Sequence, residues 1–334
     1  MKREAHGDSE AAALILDSSS HEEVAVRLQQ SRAHSQLLAA VRSVKDAVDI
    51  DPSREALKLH ATIASMHGLC AAIEGARLII AEDAIGHIVR PAFESHGESG
   101  FVRRLQTWPR GYPGDFETIE WLFDGRPRLA SSNKYYWIEW YALNTPIAQQ
   151  HRNKIAFQRE KIFENITDGS RILSVGCGGA LDMHDVAPAA RELRCTLVDI
   201  DGDALELAKS RLVWAEEVNC IRGDVLHVLK RLERGYDRIV FGGLFDYLSD
   251  RAVTLSLRLA SQLASSSGCK IIFTNIRSPG PFNSWIETMA RWPLITRSED
   301  DIREILDDSG IGTGALLMKR DGTGLSLLCE VDVS

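Results

Sequence analysis

The sequence predicts an α/β fold in which a seven-stranded sheet, parallel except for one antiparallel strand, follows an all-helical N-terminal region. Three observations support this prediction. Short apolar runs alternate with helical segments from Arg171 onward, as is typical of a parallel sheet. Apolar residues recur at helical spacing through the first 90 residues. A glycine-rich turn, Gly176-Cys177-Gly178-Gly179, directly follows the first apolar run.

The N-terminal half, residues 21–165, is expected to be a helical cap over the sheet, and residues 1–20 are expected to be flexible or weakly helical. The first 90 residues read as an antiparallel helical bundle. We expect its second helical stretch to break near Gly68-Leu69-Cys70 and to end at Pro91, because proline disfavours a continuing helix.

Two further helix starts are marked by their first residues. Asp115 is a candidate N-cap for a helix over 116–123. Pro146 is expected to begin a helix that reaches about residue 165.

The C-terminal half, residues 166–334, is expected to form the sheet. Asp321-Gly322 between the last two apolar runs is a hairpin signal, which predicts one antiparallel strand near the end of the chain. The predicted strands are 171–175, 195–199, 218–222, 237–242, 269–274, 314–319 and 324–332.

The composition of the chain argues against several classes of protein. The chain has 334 residues, enough for two domains, and its net charge of -8 argues against a nonspecific nucleic-acid binder. Its six cysteines form no C-x-x-C pair, which predicts reduced thiols, a cytoplasmic protein and no metal site. We find no apolar run near the roughly 20 residues that span a bilayer, and no signal peptide, so no membrane partner is expected. The sequence is compatible with a homodimer.

Several candidate cofactor contacts follow the predicted strands. Glycines after the first strand let the backbone pass close to a ligand. Asp199 ends the second strand, where a carboxylate accepts hydrogen bonds from a ribose. Asp224 and Val225 follow the third strand, and residues 242–247 follow the fourth. Because ligands bind at the carboxyl ends of parallel strands, these residues predict a nucleoside cofactor. NAD is the alternative, but Leu181 occupies the last glycine position of its usual pattern.

This order of contacts, with the hairpin at the end, resembles the class I S-adenosylmethionine (SAM) dependent methyltransferases over about residues 165–334. The resemblance implies a Rossmann-like methyltransferase sheet, with Asp199 on the ribose hydroxyls and Asp224 on the adenine amino group. The cofactor-binding residues that it implies are Gly176, Cys177, Gly178, Asp199, Ile200, Asp224, Val225, Gly242 and Leu244.

A second resemblance concerns the loop R-G-Y-P-G-D-F-E at 110–117, the aromatic block near Tyr135 and W-P-L-I-T-R at 292–297. These segments resemble a bacterial methyltransferase family that includes the synthase of 3-hydroxypalmitic acid methyl ester. The resemblance implies a soluble enzyme of small-molecule metabolism and leaves its substrate open.

The sequence leaves two kinds of methyl acceptor open, a nitrogen and an oxygen. Methylation of a nitrogen needs carboxylates that pair with a cationic amine and take its proton. Methylation of a carboxyl or hydroxyl oxygen, as in a 3-hydroxy fatty acid, needs positioning by Arg and Tyr side chains. The acid-rich loop favours the nitrogen of a small polar substrate such as an amino acid. The candidate carboxylates are Asp115, Glu117, Glu120, Glu139 and Asp246.

The predicted catalytic residues are Asp246, Glu117 and Tyr112. The predicted substrate-binding residues are Arg110, Asp115, Glu120, Tyr135, Tyr136 and Tyr247. The alternative from another class is a SAM-binding regulator without catalysis, which would have no cavity over the methyl group.

Overall fold

The N-terminal region of the computed structural model is helical. The model describes residues 7–314 and 316–333, with side chains from residue 23 onward. Residues 1–6 of the segment predicted to be flexible lie outside this range, and residues 7–20 belong to the first helix. α1 packs against α2 and α3. The helices that precede the sheet are α1 (Gly7–Asp49), α2 (Glu55–Arg77), α3 (Glu82–His96), α4 (Gly100–Thr107), α5 (Phe116–Asp124), α6 (Tyr136–Asn144) and α7 (Pro146–Phe163).

Two predicted helix boundaries are wrong. α2 runs through Gly68, which lies on its exposed face, and the chain breaks only after Arg77. A glycine inside a helix costs about 1 kcal/mol relative to alanine, which the burial of Leu69 and its neighbours outweighs. Pro91 lies inside α3 instead of ending it. Pro91 is exposed, so the carbonyl that loses its intrahelical partner can be hydrated.

α2 is the central helix of the N-terminal core. By length and composition α2 is also apolar enough to cross a membrane, a feature that the sequence reading overlooked. In this structure its inner face is buried among α1, α3 and α6, with Met66, Leu69 and Ile73 almost inaccessible to solvent. α2 therefore contributes its apolar side chains to a protein core.

The seven-stranded sheet confirms the predicted fold class. Its strand order is β3-β2-β1-β4-β5-β7-β6. β7 is antiparallel to both β5 and β6, and the other neighbouring pairs are parallel. The strands are β1 (Arg171–Val175), β2 (Arg194–Asp199), β3 (Glu217–Arg222), β4 (Arg238–Phe241), β5 (Cys269–Ile276), β6 (Leu316–Arg320) and β7 (Ser326–Val333).

Helices cover both faces of the sheet. α7 and α8 (Gly202–Arg211) pack on one face, where Phe157 and Ile162 of α7 are buried. On the other face pack α9 (Val225–Leu229), α10 (Asp250–Gln262) and α11 (Glu299–Ser309). Between β1 and β2 the described chain forms turns rather than a helix.

Each half of the chain contributes residues that pack in the other half. α7 was predicted to belong to the cap, yet it lies on the sheet. Conversely, three side chains from the segment between β5 and α11 are buried in the core of the helical region: Phe282, Trp285 and Trp292. The two halves of the chain are thus interlocked.

We expect Leu69→Ala to destabilise the protein by about 2–5 kcal/mol, because it removes a fully buried side chain from the helical core. Leu78→Ala, at a position that is 87% exposed just after the same helix, is the matched control and should change stability by less than about 0.5 kcal/mol. Thermal or urea unfolding measures both. Equal effects of the two substitutions would show that α2 does not pack as described.

Candidate functional site

A cavity of about 860 Å³ opens at the carboxyl ends of β1, β2 and β4. Ligand pockets commonly measure about 300–1,000 Å³, so this one is large enough for a cofactor together with part of an acceptor. Its wall includes all nine residues predicted to bind the cofactor: Gly176, Cys177, Gly178, Asp199, Ile200, Asp224, Val225, Gly242 and Leu244. Their individual roles stay predictions, but the structure brings them into one site.

The glycine turn after β1 lies beside the end of β4, where the strand order changes direction. Gly176 has a φ of 63°, which favours glycine. A Cβ added at Gly242 would lie only 2.7 Å from the carbonyl oxygen of Gly176. The two segments are therefore in backbone contact at Gly242, where a side chain has no room, and both glycines line the cavity at the carboxyl ends of the strands.

Asp199 presents a fixed carboxylate to the cavity. Its Oδ2 accepts a hydrogen bond of 2.8 Å from Gly178 N, and its Oδ1 accepts one of 3.0 Å from Asp201 N. Each oxygen retains a second lone pair that can accept from a ribose hydroxyl. Burial raises the pKa of Asp199 above its ordinary value.

Asp224 caps α9 at the opposite side of the cavity. Its Oδ1 accepts from His227 N at 3.1 Å and lies 2.9 Å from His227 Nδ1. The hydrogen bond to His227 lowers the pKa of Asp224, so the carboxylate stays ionised. Its Oδ2 is left to accept from an exocyclic amino group, and Val225 and Leu226 supply apolar contact beside it.

Cys177 lies within the cofactor turn and is buried. Burial raises the pKa of its thiol well above the ordinary value. The thiol is therefore protonated at neutral pH and is a poor nucleophile.

The far end of the cavity is apolar. Tyr247 lies there among aliphatic side chains, and its hydroxyl oxygen accepts a hydrogen bond of 2.8 Å from Trp292 Nε1. This lining was not visible in the sequence, because it comes from four segments that are distant along the chain. The apolar residues at this end are Ile119, Ile155, Leu248, Pro293, Leu294 and Ile295.

Asp115 and Glu117 do not line the cavity. Asp115 is only 1% exposed, caps α5 by accepting from Thr118 N, and pairs with Arg104. Glu117 lies 2.8 Å from Arg104 and 3.2 Å from Arg110. The predicted substrate-binding and catalytic roles of these two acids are corrected accordingly, because both carboxylates hold the loop in place.

Three more predicted residues lie outside the cavity. Arg110 turns toward Asp201 and Asp203 on the far side of the loop. Tyr135 packs against the helical core, and the ring of Tyr136 packs edge-on against Trp137. Their predicted contacts with a substrate are corrected to contacts within the protein.

Glu120 and Asp246 do line the cavity, but both are paired. Glu120 accepts two hydrogen bonds from Arg211, at 2.6 and 2.8 Å. Asp246 is 2% exposed; one oxygen pairs with Lys154 and the other accepts from Ile276 N at 2.7 Å. Neither carboxylate is free to hold a cationic amine without first leaving its partner.

Sequence reasoning missed Asp182 and Gln158 as cavity residues. Asp182 follows the glycine turn and is only 5% exposed. Burial raises its pKa to about 6. A lone Asp after a glycine turn reads as a loop residue, and only the fold shows it facing the cavity.

Within the part of the chain whose side chains are described, no group of three or more His, Cys, Asp or Glu residues is arranged to hold a metal ion.

One region of the chain matches a known protein family. Residues 172–268 match the family model described as a methyltransferase domain. No curated protein sequence matches significantly. A solved structure described as a possible exported protein from Bordetella parapertussis is 17% identical over 90% of this chain and 96% of that chain, with a TM-score of 0.59. It shares the overall fold, including the helical region.

Two solved methyltransferases are also similar at lower TM-scores. Magnesium protoporphyrin IX methyltransferase from Synechocystis PCC 6803, with bound SAH, is 17% identical over 56% of this chain and 87% of its own, with a TM-score of 0.42. Mitomycin 7-O-methyltransferase is 14% identical over 96% of this chain and 100% of its own, with a TM-score of 0.43.

The chain therefore carries a methyltransferase domain, and the cofactor of this domain is SAM. The residues present fit that cofactor. Gly176, Gly178 and Gly242 let the backbone line the cavity without side chains at those positions, and Asp199 and Asp224 offer acceptors for ribose hydroxyls and an adenine amino group.

Because Asp182 lines the cavity just after the glycine turn, we expect its carboxylate to pair with the α-ammonium group of S-adenosylhomocysteine (SAH). Asp182→Asn should therefore weaken SAH binding about tenfold. 5′-Methylthioadenosine, which lacks the amino acid part, is the matched ligand and should bind both proteins equally. Calorimetry measures the four affinities. Equal weakening of both ligands would show that Asp182 does not face the amino acid part.

The same substitution should stabilise the ligand-free protein at alkaline pH. Burial raises the pKa of Asp182 from the ordinary aspartate value of 3.8 to about 6, so the folded state binds more protons than the unfolded state between these values. The wild type should therefore lose up to about 3 kcal/mol of stability as the pH rises through this window. Melting temperatures should favour Asp182→Asn more at pH 8 than at pH 5, and a constant difference would contradict the assignment.

Proposed function

We propose that this protein transfers the methyl group of SAM to an oxygen of a small, largely apolar acceptor. The observation that carries this proposal is the apolar far end of the cavity, formed by residues such as Ile155, Leu294 and Ile295. A charged amine in such surroundings needs a carboxylate partner, since burying an unpaired charge is costly.

The acids that the sequence suggested for an amine are already engaged. Asp115 and Glu117 pair with Arg104, Glu120 with Arg211, and Asp246 with Lys154. Glu139 is fully buried and accepts from backbone N–H groups, among them Arg128 N at 2.7 Å and Leu129 N at 2.8 Å. This pairing is why we favour an oxygen acceptor over the nitrogen acceptor that the acid-rich loop first suggested.

Tyr247 is the side chain best placed to orient the acceptor. Its oxygen accepts from Trp292, so its own hydrogen is available to donate to an acceptor oxygen. Burial raises the pKa of Tyr247, so the hydroxyl stays protonated and acts as a donor. A carboxylate acceptor is already ionised and needs no general base.

SAM, when bound, supplies an electrophilic methyl carbon on a positively charged sulfur. The protein contributes orientation and the exclusion of water. Leu244 and Leu248 flank the carboxyl end of β4, and the loop residues Tyr112 and Pro113 cover the cavity from the helical side. This enclosure would hold an acceptor oxygen in line with the methyl group.

The acceptor class agrees with the resemblance of the 110–117 loop to the family of 3-hydroxypalmitic acid methyl ester synthase, and a 3-hydroxy fatty acid is one acceptor of the proposed kind. The cavity continues beyond the cofactor residues to 293–295, which favours catalysis over a purely regulatory SAM-binding role. A cytoplasmic location and a small-molecule substrate stay predictions.

A screen with methyl-labelled SAM tests the proposal. We expect label to enter 3-hydroxy fatty acids and other apolar acids, and to be released by mild base as expected of an ester. Alkylamines of matched chain length and polar amino acids are the comparison acceptors. Labelling of amines alone would reject the oxygen acceptor, and SAH binding without any labelled acceptor would favour the regulatory role.

Tyr247→Phe should lower kcat about tenfold on the acceptor that the screen identifies, because one hydrogen bond to the reacting group is lost. Its affinity for SAH should be unchanged. Tyr236→Phe is the matched control, since the Tyr236 hydroxyl donates to Thr196 Oγ1 at 3.1 Å inside the sheet core, away from the cavity. Equal rates for Tyr247→Phe and wild type would remove Tyr247 from the mechanism.

A further inference from the structure

The loop at 110–114 is tied to the sheet domain through the carboxylate of Asp201. Arg110 donates to Asp201 through Nε at 2.6 Å and through Nη2 at 2.7 Å, so the pair is bidentate. Its Nη2 also lies 2.5 Å from Asp203 Oδ2. The Tyr112 hydroxyl adds a hydrogen bond of 3.1 Å to Asp201 Oδ2. Two loop residues thus converge on one carboxylate that is more than nine-tenths buried.

Asp201 is connected to the carboxylate predicted to hold the ribose. The backbone N–H of Asp201 donates to Asp199 Oδ1, and that of Gly178 donates to Asp199 Oδ2. The orientation of the Asp199 carboxylate therefore depends on where the backbone of residue 201 lies. The side chain of Asp201, held by Arg110 and Tyr112, fixes that backbone.

The same loop forms part of the cavity wall. Gly111, Tyr112, Pro113 and Gly114 all line the cavity. A Cβ added at Gly114 would lie 1.8 Å from the Tyr247 hydroxyl oxygen, so the loop is pressed against the acceptor end. The loop is therefore anchored beside the ribose at one end and beside the acceptor at the other.

The charges at the anchor support a strong contact. Hydrogen bonds from Arg110 lower the pKa of Asp201 to about 2, so the pair stays ionised across the physiological range. The Arg110 guanidinium also lies 4.8 Å from the centre of the Phe116 ring, which lines the cavity. A bidentate, partly buried pair of this kind is stronger and more directional than an exposed ion pair.

We propose that Arg110 and Tyr112 are positioning residues for the cofactor, which orient the Asp199 carboxylate through Asp201 and hold the 110–114 loop closed over the bound ligand. This inference rests on the proposed SAM site. It assigns to the loop a role in cofactor affinity, whereas the sequence predicted that Arg110 binds the substrate and that Tyr112 is catalytic.

The test is a double-mutant cycle on SAH affinity, measured by calorimetry with Arg110→Ala, Asp201→Asn and the double variant. Each single substitution should raise the Kd about tenfold, since each removes the same charged hydrogen bonds. The double variant should bind no more weakly than either single variant, because the effects share one interaction. 5′-Methylthioadenosine should be weakened to the same degree, since it retains the ribose.

Two further variants separate positioning from stability. Arg303→Ala removes an exposed ion pair with Asp300 on α11 and should leave the Kd for SAH within twofold of wild type. Tyr112→Phe removes a single hydroxyl and should raise the Kd about threefold even if a larger substitution impairs folding.

Unchanged SAH affinity in Arg110→Ala or in Tyr112→Phe would overturn the proposal, as would additive effects in the cycle. A wild-type protein that binds no SAH would instead overturn the proposed function.

Discussion

The buried pair between Lys154 and Asp246 joins the segments that surround the cavity. Lys154 belongs to α7, and Asp246 follows β4; both side chains are at most 5% exposed. The second oxygen of Asp246 accepts from Ile276 N at the end of β5, and its backbone carbonyl accepts from Ile295 N at 2.7 Å. Asp246 thus connects α7, the ends of β4 and β5, and the segment that supplies the apolar wall of the cavity.

Burying two charges is costly, and a well-packed apolar pair would often serve stability equally well. Here the pair has a geometric consequence that apolar residues would not reproduce. Both oxygens of Asp246 have directional partners, so the 244–248 segment has a defined position relative to α7. Because Leu244 lies beside the cofactor turn and Tyr247 at the acceptor end, this position sets the distance between the two halves of the site.

Much of the sheet was predictable from local sequence. Each parallel strand is a short apolar run that ends at a glycine or a charged residue, and the observed strands lie within about two residues of those predicted. Helix boundaries were less predictable, because Gly68 and Pro91 stop a helix only where tertiary packing does not outweigh them. The break after Arg77 has no glycine or proline to mark it.

Some residues of the site were also predictable from the sequence, and others were not. The cofactor residues follow strands directly, so their convergence was predictable from strand order alone. Glu120 and Arg110 were misread as substrate contacts because their partners are remote: Glu120 pairs with Arg211, and Arg110 with Asp201, in each case across 91 residues. A single sequence does not reveal such pairs. The apolar acceptor end was missed for the same reason.

The protonation state of the Cys177 thiol determines whether its sulfur can react with a methyl donor. A sulfonium methyl donor is an alkylating agent, and a thiolate is the strongest nucleophile among ordinary side chains. Cys177 lies in the very turn that borders the cofactor cavity, yet its buried thiol has a raised pKa and stays protonated. The turn therefore places a small side chain in the wall of the cofactor cavity while its sulfur is held in the protonated form, which is a poor nucleophile toward a methyl donor.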